Sequence, residues 1–106
     1  MLFRSPHSTP VVQIKDTLTV TGFTSNATGN VLVGLYTSSD CTTGQIGTDA
    51  SFPVSGAVNG TVTAETSFVA VLAGTYRYKI SYAGDGANTG FSSCAEIVGV
   101  SITSLP

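Results

Sequence analysis

The sequence predicts an all-β sandwich of about seven antiparallel strands, and three observations point that way. Short runs rich in Val, Ile, Thr, Tyr and Phe recur about every 8 to 12 positions with turn residues between them, the spacing of a sandwich or barrel. Several of these runs alternate apolar and polar residues, as a strand with one buried face does. No window carries the 3.6-residue apolar period of an amphipathic helix. At 106 residues the chain has the size of one domain, able to bury roughly two thirds of its unfolded surface.

Residues 1–10 are expected to be a non-native or linker tail, because residues 1–5 differ in character from the rest of the chain and Pro6, His7 and Pro10 suit a linker. His7, the only histidine, has no visible partner there. A first strand is predicted over residues 11–15 and a second over 16–23, with Leu18 and Val20 inward and Thr17, Thr19 and Thr21 outward. After a turn at 24–29, Val31, Val33 and Leu35 alternate inward through a third strand ending at Tyr36. Residues 38–47, which hold Cys41, read as irregular. Residues 50–58 read as an edge strand, since Pro53 cannot donate to a ladder.

Asn59-Gly60 is the strongest hairpin signal and leads into a strand over 61–71, with Val62, Ala64, Thr66 and Phe68 on one face. The segment 73–88 organises the chain. Gly74 permits a tight turn, Tyr76, Tyr78, Ile80 and Tyr82 share the core face, and a Gly/Asp/Asn-rich loop comes after them. The last strand is predicted over 94–103, with Val98, Val100 and Ile102 on one face. Glu96 falls on that same face unless a bulge or a later strand start releases it. The total is seven strands, the count of a constant-type immunoglobulin sandwich. An odd count carries the chain in at one end and out at the other, which suits end-to-end stringing of modules.

Composition narrows the function. Only 9% of residues are charged, 42% are apolar, and four basic residues within a net charge of −2 cannot build the Lys/Arg footprint that nucleic acid or an anionic membrane requires. The longest apolar run, residues 68–73, is far short of the ~20 residues that cross a bilayer. Two cysteines in a small Thr-rich domain favour an oxidising compartment, with one disulfide or two buried thiols as the alternatives.

Gly74-Thr75-Tyr76 together with Tyr82-Ala83-Gly84-Asp85-Gly86-Ala87-Asn88 resembles the corresponding strand and loop of bacterial immunoglobulin-like repeat domains of large secreted and surface proteins. The likeness extends to Asp16-Thr17-Leu18, to Gly29-Asn30-Val31 and Leu35-Tyr36, and to the placing of Cys41 and Cys94, covering residues 11–103. It implies an immunoglobulin-like domain flanked by linkers, residues 104–106 beginning the next one. It also implies an extracellular or cell-surface location, neighbouring repeats of the same chain as partners, and a spacer or stalk role with no chemistry of its own. Tyr76 stands where such domains place a tyrosine corner, its ring inward and its hydroxyl bonded to nearby backbone. Tyr78 stands where antibody domains place a cysteine, so Leu18, Val20, Val33 and Tyr78 are expected to fill that space.

A Cys41–Cys94 bridge would close a loop of 53 positions. With nominal strand lengths the two cysteines fall near opposite ends of the sandwich, so either the segment after Thr37 turns back along the sheet or the thiols stay apart. Asp85, Asn88 and Asp40 offer oxygen ligands, yet too few carboxylates for calcium, and a turn held by local Asx bonds is the better reading. No metal site and no cofactor is expected. Alternation points Lys15 and Lys79 outward, away from any core crosslink.

Asn26-Ala27-Thr28 and Asn59-Gly60-Thr61 match the glycosylation sequon in turns, where a bacterial chain would normally leave them unmodified. Asp40, Asp49, Glu65, Asp85 and Glu96 are scattered over turns and separate strands, so no carboxylate pair or nucleophile set points to an enzyme. The alternative function is an adhesion or carbohydrate-binding module using loops 24–29 and 84–91, with Asp85, Asn88 and Phe91 as the ligand loop and a host or matrix protein or glycan as partner.

Overall fold

The computed structural model describes residues 12–70 and 72–100. The expected tail at 1–10, with His7, and the residues from 101 onward, with Ile102 and the expected linker start at 104–106, lie outside them.

Among the described residues six strands form two antiparallel sheets, and the one helical element is a single 3-10 turn, Val54–Gly56. Strand β1 (Val12–Val20) pairs with β4 (Val62–Ala70) in the smaller sheet. The larger runs in the order β3 (Gln45–Pro53), β2 (Asn30–Tyr36), β5 (Gly74–Tyr82), β6 (Phe91–Val100). The core lies between them: Ile14, Val62, Ala64 and Phe68 from one side meet Val31, Val33, Leu35, Tyr76, Tyr78 and Tyr82 from the other. Leu18, Val20 and Ile80 pack on it half-buried.

The strand expected to break between Lys15 and Asp16 does not. The β1–β4 register runs without interruption from Val12 opposite Ala70 to Val20 opposite Val62. Asp16 therefore faces inward between Ile14 and Leu18, and the strand tolerates it because the Tyr78 hydroxyl donates to its carboxylate from the opposite sheet. An inward carboxylate with a donor need not end a strand.

The edge strand also differs from expectation. It begins at Gln45 and closes at Pro53, so Gln45 and Ile46, expected to be irregular, pair with Tyr36 and Leu35, and Gly47 falls in a register irregularity of the strand. Asn59-Gly60 makes a tight two-residue turn with φ of 54° and 75°, closed by the single Val58–Thr61 bridge rather than by two long arms, because the 3-10 turn has already ended the preceding strand. The last strand starts at Phe91, three residues early. Glu96 does share the face of Val98, since they sit opposite Tyr78 and Tyr76. It is exposed nonetheless, on the edge strand of the four-stranded sheet.

Six strands change the entry and exit. Val12 lies opposite Ala70 and Val100 opposite Gly74, and the short β4–β5 connection joins those two partners. The described chain thus enters and leaves at one pole, and the end-to-end argument drawn from an odd count falls. The opposite pole carries the loops 21–29, 54–61 and 83–90.

Candidate functional site

The residues with most chemistry gather at that loop pole, where Asp85 is the hub. One carboxylate oxygen accepts from the backbone N–H of Ala87 (2.8 Å) and of Asn88 (2.7 Å); the other accepts from the N–H of Thr28 (2.8 Å) and the hydroxyl of Tyr82 (2.9 Å). The Asn88 amide donates to both oxygens at 3.0 and 3.1 Å. The N–H bond from Thr28, then that from Ala87, hold the Asp85 carboxyl well below the usual carboxylate range. Burial, and then the bond to Asp85, push the Tyr82 hydroxyl up.

Asn88 extends the knot. Its side-chain oxygen accepts from the Thr24 N–H at 3.0 Å and its amide donates to the Thr24 hydroxyl at 3.0 Å. The Tyr82 hydroxyl also reaches the Thr28 carbonyl at 2.7 Å. Loops more than 50 residues apart in sequence are thereby tied, and Asp85 and Asn88 spend their polar groups on each other, on backbone and on the Tyr82 and Thr24 hydroxyls. Gly84, at φ 94°, lets the loop start: a Cβ there would lie 2.8 Å from the Gly90 nitrogen.

Beside the knot an open cavity of about 320 Å³ lies between loops 21–24 and 87–91. Phe23 and Phe91 contribute rings, and Thr21, Thr24, Asn88 and Thr89 contribute polar groups. Phe23 stands edge-on to Tyr82, centroids 5.1 Å apart, and Phe91 lies 6.1 Å from the same ring. Of the expected ligand loop, the structure leaves Phe91 exposed and sets Asp85 behind the cavity wall.

The other expected residues lie elsewhere. Tyr76 is buried, its hydroxyl donating to the Leu72 carbonyl four residues back. Gly74 has φ 153° where β5 begins. Cys41 and Cys94 are joined in a disulfide, Cα atoms 6.0 Å apart. Of the two alternatives the first holds: β2 and β3 form a hairpin whose loop, closed by the Thr37 N–H to Gly44 carbonyl bond, brings Cys41 to the register irregularity in the middle of β6. Gly44 is required there, at φ 72°, since a Cβ would collide with the Thr37 hydroxyl.

Asp40 sits on this loop, held below the usual range by the Thr42 hydroxyl and then Ser38. It is at the opposite pole from Asp85, so the two share no ligand. Asp49 bonds Gln45 at 2.6 Å, Glu65 lies opposite Thr17, and Lys15 is exposed while Lys79 is half-buried. Among the described residues no three His, Cys, Asp or Glu side chains are placed to hold a metal ion. No helix among them is long and apolar enough to cross a membrane.

Sequence reasoning missed the Asp16–Tyr78 contact and the roles of Phe23, Thr24 and Thr28. The first had a signal, since alternation read straight from Val12 to Val20 puts Asp16 inside. The pairing of loops 64 residues apart had none. Searches with protein-family models, against curated proteins and against solved structures find no match for this chain.

Proposed function

We propose that the chain is a structural immunoglobulin-like module of a bacterial extracellular or surface protein, a spacer that contributes its fold and no chemistry of its own. The observation that carries the reading is that the groups able to do chemistry serve as fasteners: the Asp85–Asn88–Thr24 knot joins two loops, and the disulfide joins the β2–β3 loop to β6. The pairing of β1 with β4, and of β3, β2, β5 and β6 in that order, matches the B–E and C′–C–F–G pairings of an immunoglobulin sandwich, and the Tyr76 bond to Leu72 matches a tyrosine corner. The disulfide supports an oxidising, extracellular setting. Neighbouring repeats are the natural partners.

The test replaces residues 11–103 in the full-length parent protein with an unrelated β-sandwich of equal length. A spacer predicts unchanged adhesion and unchanged projection from the cell. Loss of adhesion with projection intact would defeat it.

A second reading, adhesion or glycan binding through the loop pole, is favoured by the shared pole of Val12 and Val100. A module held at that pole presents loops 21–29 and 83–90 outward.

A further inference from the structure

We infer that the cavity between Phe23 and Phe91 is a binding site for the terminal ring of an uncharged glycan, which rests on the second reading above and narrows it to one cleft and one ligand class. Every side chain lining the cavity is neutral. A charged ligand entering it would lose water without gaining a counter-ion, while a neutral one loses far less.

The lining is also mixed in the way a sugar ring demands. Phe91 is 37% exposed, an aromatic surface for the apolar C–H face of a pyranose. The hydroxyls of Thr21, Thr24 and Thr89 offer donors and acceptors to the ring's own hydroxyls. At about 320 Å³ the cavity is at the small end of ligand pockets, which run from roughly 300 to 1,000 Å³. It suits the end of a glycan, one or two rings.

The walls are fixed before a ligand arrives. Loop 21–24 and loop 87–91 are held by the paired Asn88–Thr24 bonds, and Asn88 is held in turn by Asp85. Ordering costs that a flexible loop would incur on binding are therefore small. Asp85 and Asn88 act here as positioning residues, with Phe91 and the threonines meeting the sugar.

The test has two parts: an array of glucose-, galactose- and mannose-terminated glycans beside sialylated and sulfated ones, and a titration monitored by backbone amide NMR. Expected are binding of neutral glycans, shifts confined to residues 21–24 and 87–91, and at least tenfold weaker binding in Phe91→Ala and Thr21→Ala, both still folded by NMR. Should Phe91→Ala lose its fold, Phe91→Leu and Thr21→Ala carry the test. Binding only of acidic glycans, or shifts elsewhere on the pole, overturns the cleft assignment and leaves an adhesive module standing. Absence of any glycan binding, or binding indifferent to both variants, overturns the inference outright.

Discussion

At the scale of single residues, Asp16 and Tyr78 decide how the two sheets meet. Tyr78 is 1% exposed, so its hydroxyl requires a partner, and Asp16 is the acceptor it finds. Tyr78→Phe strands the carboxylate and is expected to cost about 2 kcal/mol in urea unfolding. Adding Asp16→Leu should recover much of that, because two apolar groups leave nothing unpaired. Burial, with the Asp16 bond second, pushes the Tyr78 hydroxyl up to about 12. A folded value above the unfolded one of about 10 means the contribution is complete below pH ~10 and is lost as pH rises towards 12. Tyr78→Phe should remove that alkaline loss from a pH series of unfolding midpoints.

Asp85 behaves in the opposite sense. Its carboxyl is held low in the fold, so its contribution is present above the unfolded value of about 3.9 and fades as pH falls below it. The midpoint of Asp85→Ala should be lower at pH 7 and should fall less on acidification, measured by thermal melts from pH 7 to 2. The core tyrosines were legible in sequence because period-two alternation is a local property. Asp16 was legible too, had the alternation been read unbroken from Val12 to Val20. The Asp85 contacts were not, since an Asx turn predicts its own backbone bonds to residues 87 and 88 but not a bond to Thr28, 57 positions away.

At the scale of elements, the β2–β3 loop shows where sequence reading stops. Nominal strand lengths place Cys41 and Cys94 far apart, whereas a curled loop, permitted by Gly44, brings them together. In the loop-entropy picture the bond stabilises by about 4 kcal/mol, and Cys41→Ser/Cys94→Ser should lose an amount of that order in a denaturant titration. Gly44→Ala should lose more than 1 kcal/mol through backbone strain and the collision with Thr37. Nonreducing mass spectrometry of the wild type should find no alkylatable thiol. The two-residue turn at Asn59-Gly60 was legible from its residue types, since both central positions need positive φ. That it joins short arms depended on the 3-10 turn before it, which no pattern in residues 54–56 announces.

At the scale of the molecule, β6 is an edge strand of the larger sheet, buried at Val100 and half-buried at Val98, while Glu96 and Ile97 are exposed on its two opposite faces. The sandwich class was legible from turn spacing. The strand count was not, because it turned on one aspartate, and with it went the path of entry and exit. That path has a mechanical consequence. Tension applied at Val12 and Val100 reaches β1 and β6 at the ends where they pair with Ala70 and Gly74, so hydrogen bonds are loaded one at a time, like a zipper, and not in shear along a whole strand. β6 can unzip only as far as Cys94, and everything between Cys41 and Cys94 stays sheltered behind the disulfide. Pulled in a tandem array, the oxidised module should yield at low force and release about 180 Å less chain than the reduced one, for 53 sheltered positions. Such units joined in series would lengthen early under load and then stop.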